Sequence, residues 1–364
     1  MKLIDITSYL EQIAPLSYQE DYDNAGLIVG NLNQDITKAL VSLDCTEAVV
    51  DEAINSGANL IISHHPIVFK GMKRFNGSNY VERVVMKAIK NDIALYAIHT
   101  NLDSVLDGVN ARICEKLGLL NKSILSPKSG KLKKLVTFCP TLHADEVRKA
   151  LFSAGAGYIG NYSECSFNAS GTGTFKGSED TNPFAGEPGK LQFEQEVKIE
   201  TIYPIHLEKK IIAALLSSHP YEEVAYDLYP ITNTLPQVGS GMLAELDEEM
   251  DILEFLQHLK QSMRAGVVKY TDPIEQKVKK IAVCGGAGGF LLKDAIRAGA
   301  DVFITADYKY HEFFDADGQI VIADIGHFES EQFTSELLLE KLSEKFPTFA
   351  VLLSRVKTNP VNYL

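Results

Sequence analysis

The sequence contains no tryptophan and few cysteines, and the placement of those cysteines is informative. The five of them are scattered and never stand in a CxxC spacing: Cys45, Cys114, Cys139, Cys165 and Cys284. An odd, scattered set argues against a disulfide framework and against a zinc site built from paired cysteines. The pattern is typical of free, mostly buried thiols in a reducing compartment.

Long apolar runs are also missing. No segment approaches the ~18 apolar residues that a membrane-spanning helix needs, and no apolar stretch follows Lys2 as it would in a signal peptide. We therefore expect a cytoplasmic protein that has no membrane partner. The chain also lacks the GxxxxGK(S/T) motif of P-loop ATPases and the GxSxG motif of serine hydrolases, so neither chemistry has support.

Positive charge is in short supply. The 35 lysines and arginines are outnumbered by 48 aspartates and glutamates, which gives a net charge of −13. A chain of this charge repels polyanions, so nucleic acid is an unfavoured partner. Hydrophobic residues make up 45% of the 364 residues and charged residues 23%, which predicts a globular protein of two or three domains.

Strand and helix patterns divide the chain into three parts. Residues 1–128 alternate as β-α-β-α, which predicts a largely parallel sheet, whereas residues 129–239 follow the ferredoxin-like β-α-β-β-α-β order of a separate insert. The first pattern returns over 240–364. A shift of 242 positions aligns 38–66 with 280–308 and gives 7 identities in 29 pairs, where about two are expected by chance. The predicted fold is therefore α/β, with two similar α/β halves forming one core and a ferredoxin-like α+β insert between them.

Two adjacent histidines end a predicted strand in the first half. The run Leu60–Ser63 predicts a buried strand, and it leads directly into His64, His65 and Pro66. Proline cannot continue the hydrogen-bonded ladder, so the strand stops there. Ligands of open α/β sheets bind at the carboxyl ends of strands. A single histidine at such a position is often structural, but two side by side favour a metal site.

Two further strand ends carry side chains that bind metals. One predicted strand leads into His99 and Asp103, and a strand in the second half leads into His327 and Glu331. His327 and Glu331 are four residues apart, so they project from one face where the next helix begins. By itself, this pair is better explained as a capping glutamate beside a solvated histidine. Beside the other strand ends, it favours a site for two transition metals with a bridging glutamate.

A glycine-rich segment, Gly285–Gly289, lies between a predicted strand and a predicted helix. Its backbone N–H groups could cradle a phosphate at the helix N-terminus. The alternative is a tight turn packed against a close neighbour, and the sequence leaves both interpretations open.

Five motifs spread over both halves identify a family. They are Asp23-Asn24-Ala25-Gly26-Leu27-Ile28-Val29-Gly30, Ser63-His64-His65-Pro66, His99-Thr100-Asn101-Leu102-Asp103, Thr305-Ala306-Asp307, and Gly326-His327 with Glu331. In this order they resemble the NGG-interacting-factor-three-like proteins, whose bacterial members are called GTP cyclohydrolase I type 2 homologs. Tyr22 departs from the family pattern, since members commonly carry Trp at this position.

The resemblance implies a site, an assembly and a set of cofactors. The implied metal ligands are His64, His65, Asp103, His327 and Glu331, with His99 beside them. The implied cofactors are two divalent transition-metal ions per chain, with zinc preferred and iron or manganese as alternatives. The insert would be a PII/CutA-like domain, and the subunits would form a toroidal homohexamer.

These expectations lead to one principal function and two alternatives. The principal function is a metal-dependent hydrolase, resembling GTP cyclohydrolase, that acts on a nucleotide or a related phosphorylated small molecule. In this hypothesis His99 carries a proton and Gly285–Gly289 holds phosphate. The first alternative is a metal-storage or regulatory protein whose insert senses a ligand. The second, a ring that binds single-stranded DNA, is disfavoured by the charge of −13.

Overall fold

Fifteen β-strands and eleven α-helices make up the computed structural model, which describes all 364 residues. The strands are β1 (Gly26–Val29), β2 (Lys38–Ser42), β3 (Leu60–Ser63), β4 (Ala94–Ala97), β5 (Leu120–Pro127), β6 (Leu132–Pro140), β7 (Phe167–Phe175), β8 (Gln192–Pro204), β9 (Tyr226–Ile231), β10 (Gly239–Asp251), β11 (Lys269–Tyr270), β12 (Lys277–Ala287), β13 (Val302–Ala306), β14 (Val321–Asp324) and β15 (Ala350–Leu353). The helices are α1 (Leu3–Ile13), α2 (Glu47–Ser56), α3 (Tyr80–Lys90), α4 (Thr100–Asp103), α5 (Val109–Lys116), α6 (Ala144–Ser153), α7 (Glu208–Ser218), α8 (Ile252–Ser262), α9 (Leu292–Arg297), α10 (His327–Glu331) and α11 (Thr334–Lys345). The fold class is α/β, as the sequence predicts. None of the helices combines the length and the apolarity that crossing a bilayer requires.

The first sheet has five strands in the order β1-β4-β3-β2-β15. Its four strands β4, β3, β2 and β15 are parallel, and β1 is antiparallel to β4. All four residues of β3 are buried, which is the condition of a parallel strand that is covered on both faces. Helix α2 begins with Thr46, whose side chain caps Val49 N–H, and ends at Gly57 in the left-handed conformation.

The second sheet has six strands in the order β11-β14-β13-β12-β10-β5. Strands β12, β13 and β14 are parallel, and the outer strands join them antiparallel. Its register repeats that of the first sheet: Ala39 faces Leu60 between β2 and β3, and Ile281 faces Val302 between β12 and β13. Both pairs are related by the shift of 242 positions found in the sequence.

The third sheet belongs to a unit of its own. The chain divides into one compact unit of residues 1–127 with 236–364 and a second of residues 128–235. The second unit has the antiparallel sheet β7-β8-β6-β9 with the helices α6 and α7. Its core is separate and consists of buried residues such as Leu135, Leu151 and Ile199. The boundary after residue 235 leaves Val238 and the start of β10 in the first unit, four residues earlier than the boundary expected from the sequence.

Candidate metal centre

The predicted ligands converge where strands of both sheets end. His64 and His65 follow β3, His99 follows β4, and α10 carries His327 and Glu331 just beyond β14. One ligand atom from each of His64, His65 and His99 lies within 4.8 Å of the others, and the same holds for His65, His327 and Glu331. Both groups contain His65, so they form one continuous cluster. These histidine and glutamate groups could hold metal ions.

His64 and Asp103 show most directly that the cluster suits a cation. His64 Nδ1 is 2.8 Å from the carbonyl oxygen of Ile98, which can only accept, so Nδ1 carries the proton. Burial lowers the pKa of His64 to about 3, which leaves Nε2 as a bare lone pair. That atom is 3.7 Å from Asp103 Oδ1, and both atoms are buried without a hydrogen-bond partner. Two buried acceptors facing each other are stabilised by a positive ion between them.

Burial also affects the carboxyl group of Asp103. Desolvation and the negative charge of Glu331 raise the pKa of Asp103 well above its usual range. A cation placed beside this group would have the opposite effect and favour the carboxylate. The surroundings of Asp103 therefore disfavour the ionised carboxylate in the metal-free protein, whereas a bound metal ion would stabilise it.

Glu331 lies at the centre of the cluster. Its Oε2 is 3.0 Å from His65 Nε2, 3.1 Å from His327 Nε2 and 3.9 Å from His64 Nε2. Burial would raise the pKa of Glu331, but hydrogen bonds from His327 and His65 hold it well below its usual range. Burial alone would lower the pKa of His65 and of His327. Their carboxylate partners outweigh this effect and raise the pKa to about 10 for His65 and about 9 for His327. Imidazolium protons thus supply the positive charge around Glu331 in the metal-free protein.

Carboxylates behind the cluster orient three of the four histidines. Each accepts a hydrogen bond from Nδ1 at 2.7 Å, in the pairs His65–Asp44, His99–Asp23 and His327–Asp307. A carboxylate at Nδ1 fixes the ring and raises the basicity of Nε2, the usual arrangement behind metal-binding histidines. This arrangement is a second observation that the residues fit a metal.

The role of these carboxylates as partners of the histidines is not evident from the sequence. Asp23 and Asp307 stand in family motifs, but Asp44 belongs to none of them. Their common signal is position, because Asp44 follows β2 and Asp307 follows β13 at the same edge as the ligands. Asp307 is also held in the left-handed region, with φ at 60°.

The glycine-rich segment serves the cluster by close packing. Strand β12 continues through Ala287, into the glycine-rich segment. The N–H groups of Gly285, Gly286 and Gly288 donate hydrogen bonds to side-chain oxygens of Asn110, Ser330 and Thr305, respectively. These three donors are therefore not free to cradle a phosphate, which supports the alternative interpretation, a turn packed against a close neighbour. Gly286 has φ at +64°, and a Cβ there would lie 2.5 Å from Glu331 Oε1. Glycine lets the backbone approach the central carboxylate.

Two cavities adjoin the cluster. One of about 410 Å³ is lined by His99, Asp103 and Glu331 and by aromatic rings. The other, of about 610 Å³, is lined by Asp44, Asp307 and the C-terminal segment around Asn359–Tyr363. His65 and His327 line both cavities. A larger cavity of about 860 Å³ lies in the unit of residues 128–235, but no histidine or cysteine lines it.

Nearly the whole chain matches one protein family. A model of the family described as Duf34/NIF3 (NGG1p interacting factor 3) matches residues 1–360. Proteins named GTP cyclohydrolase 1 type 2 homolog from Halalkalibacterium halodurans and Bacillus subtilis are 42% and 39% identical to this chain, over 99% of this chain and 98% of each relative. The crystal structure of a Bacillus cereus protein related to NIF3 matches with a TM-score of 0.84 and 41% identity, covering 100% of this chain and 99% of the other. The aligned regions thus include both the histidine and carboxylate cluster and the second unit.

Proposed function

This chain belongs to the Duf34/NIF3 family, and from that premise we propose that it is a dinuclear-metal hydrolase acting on a nucleotide or a related small molecule. The proposed metal ligands are His64, His65, Asp103, His327 and Glu331. The observation that carries the proposal is the pair of buried acceptors on His64 and Asp103, which have no donor between them. The family assignment expected from the motifs is confirmed.

The donor set favours transition metals. Imidazole nitrogens and carboxylate oxygens together suit zinc, iron or manganese better than calcium or magnesium, and we propose zinc as the preferred ion. When bound, such a pair supplies an activated water molecule and a Lewis acid. Glu331 is the proposed bridging ligand because its Oε2 lies within 4 Å of Nε2 of His64, His65 and His327.

His99 is the proposed proton carrier. Asp23 accepts from its Nδ1 and also from the backbone N–H and the hydroxyl group of Thr100, so the ring is held in one orientation. Burial would raise the pKa of Asp23, but the bond and the charge of His99 lower it to about 2, which keeps the carboxylate ionised. His99 lines the cavity of about 410 Å³, and a ring fixed there can exchange a proton with a bound molecule.

The test of this function compares His99→Ala with Glu331→Ala. Both variants and the native protein are loaded with zinc or manganese and screened for hydrolysis against a panel of nucleotides and phosphoesters. We expect Glu331→Ala to lose both metal and turnover, and His99→Ala to keep its metal and lose turnover. His311→Ala is the matched control, because its ring packs on Tyr310 and Phe314 away from the cavity. Loss of metal from His99→Ala would make His99 a ligand and contradict its assigned role.

The cavity in the unit of residues 128–235 favours a second, regulatory function. It has a volume of about 860 Å³ within a unit that has its own core, so a ligand could bind there independently of the metals. The strand order of this unit supports the proposal that it is a ferredoxin-like, PII/CutA-like insert, and the matching register of the two larger sheets supports two similar halves. Normal metal content without turnover on any panel member would favour this regulatory or storage function over hydrolysis.

The assembly is also a proposal. We infer a toroidal homohexamer from the family motifs, with the chain itself as the partner. Light scattering of the purified protein should give the mass of six chains, and a stable monomer would contradict it.

A further inference from the structure

Aromatic rings line the cavity of about 410 Å³ beside the metal cluster. Tyr22 and Phe69 come from loops of the first half, and Phe290 comes from the 3₁₀ turn Gly289–Leu291 of the second half. The Tyr22 and Phe69 rings stack, with centroids 6.3 Å apart and planes at 29°, and Phe69 meets the His99 ring edge-on at 5.9 Å. The cavity thus has flat apolar walls next to a polar end formed by the proposed metal ligands.

These rings are unusually exposed for side chains of their size. Tyr22 is 67% exposed, Phe69 46% and Phe290 68%. An exposed aromatic residue is unremarkable alone, but three that line one cavity next to unpaired buried acceptors mark a binding surface. Aromatic side chains bind planar π-systems by stacking, whatever the identity of the ring.

Apart from the proposed metal end, the same cavity offers no side chain that recognises a polyphosphate. No lysine or arginine lines it, and its acidic side chains are Glu20, Asp103 and Glu331. Polyphosphates are normally held by Lys or Arg or by free backbone N–H groups. In the adjoining glycine-rich segment, the N–H groups of Gly285, Gly286 and Gly288 are already bonded to side chains. Positive charge in the cavity is therefore limited to the metal-binding end.

We propose that this cavity binds a planar, uncharged heteroaromatic ring, of the class of nucleobases, nucleosides and pteridines, and that it has no subsite for a triphosphate. The ring stacks on Tyr22, Phe69 or Phe290, with its reactive edge toward Asp103 and Glu331. This inference rests on the proposed function, since it takes the cavity as the substrate site. It narrows the substrate class from nucleotides in general to compounds recognised by their ring.

Equilibrium binding to the zinc-loaded full-length protein tests the proposal. The probes are guanosine, GTP, pterin and inorganic tripolyphosphate. Because the chain has no tryptophan, bound pterin can be followed by its own fluorescence without tryptophan emission. We expect guanosine and pterin to bind, GTP to bind no more than about threefold tighter than guanosine, and tripolyphosphate not to displace pterin. GTP binding more than about tenfold tighter, with displacement by tripolyphosphate, would overturn the proposal, as would no binding of any ring compound in the set.

Variants of the aromatic residues provide the second arm. Tyr22→Leu, Phe69→Leu and Phe290→Leu keep apolar bulk but remove the stacking surface, so at least one should weaken guanosine binding by about fivefold or more while metal content stays unchanged. Phe314→Leu is the matched control, since Phe314 is 66% exposed and lies outside the cavity. Wild-type affinity in all three cavity variants would overturn the proposal.

The two arms separate this inference from the hydrolase function. Ring binding that depends on the aromatic residues, without turnover, would remove the hydrolase function and leave the inference standing. Turnover of an aliphatic phosphoester that is unaffected in the leucine variants would support the hydrolase function and contradict the ring-binding inference.

Discussion

His64 Nε2 and Asp103 Oδ1 face each other across 3.7 Å, buried and without a donor between them. An unsatisfied buried acceptor destabilises a protein by about 1–3 kcal/mol, so this pair strains the metal-free fold. A cation between the two atoms would relieve both of them at once.

Asp103→Asn should separate stability from metal binding. At a pH above the raised pKa of Asp103, where its carboxyl group is ionised, the amide of the variant supplies a donor to His64 Nε2 that the native side chain lacks. There the metal-free variant should gain about 1 kcal/mol, or about 2–4 °C in melting temperature. It should also bind metal more weakly, because a carboxylate ligand is lost. Differential scanning fluorimetry with and without chelator measures both effects, with Asp247→Asn at an exposed position of β10 as control. A metal-free variant less stable than the native protein would contradict the unpaired-acceptor argument.

Gly286→Ala should displace Glu331. Any alanine at a positive φ costs about 1–2 kcal/mol, and at this position its Cβ would also lie 2.5 Å from Glu331 Oε1. Gly299→Ala is a matched control, since Gly299 has a similar φ of +70° with nothing within 4 Å. Gly286→Ala should lose at least as much stability as Gly299→Ala, and only Gly286→Ala should lose metal affinity, as measured by isothermal titration calorimetry. Equal metal affinity in the two would show that the close approach is unimportant.

Metal binding should release protons. The pKa of His65 is raised to about 10 and that of His327 to about 9, so both are protonated in the metal-free protein at pH 8. A metal ion binds the neutral imidazole, so about two protons per chain should leave and affinity should fall as the pH falls. Calorimetry at pH 8 in buffers of different ionisation enthalpy measures this release. Heats that do not depend on the buffer would contradict these protonation states.

Removing residues 128–235 should leave a folded, metal-binding core. Pro127 and Gly239 face each other across the antiparallel pair of β5 and β10, so a short linker can join the strands. Val238 must be kept, because it is buried and bridges to Val105. Circular dichroism and metal analysis of the shortened chain test this prediction. An insoluble or metal-free product with several linker lengths would count against an independent core.

The cluster could be predicted from the sequence because its ligands follow strands that can be recognised as apolar runs. Strand β3 ends at Ser63, directly before the histidine pair, and the spacing of His327 and Glu331 becomes helix α10. The repeat could also be recognised from the sequence, and the structure has equivalent hydrogen bonds in its two copies. Lys38 Nζ donates to Ser56 O, and Lys280 Nζ donates to Ala298 O, at positions 242 apart.

The parts that escaped prediction depend on pairings distant in sequence. Asp44 reaches His65 only because β2 lies parallel to β3, and the sequence does not specify that contact. The need for glycine at position 286 arises from the nearby Glu331 carboxylate, which the packing of α10 on β12 brings close to it. Strand β15 pairs with β2, which lies more than 300 residues earlier in the chain, and nothing in the sequence around residues 350–353 indicates that partner.

The central claim is a pair of transition-metal ions bridged by Glu331, and metal analysis of the purified protein tests it most directly. Elemental analysis by mass spectrometry of native protein, prepared without chelator, should give about two ions per chain. Asp103→Ala should lose one ion more readily than the other, and Glu331→Ala should lose both. Native protein without metal, or full occupancy in Glu331→Ala, would contradict the account.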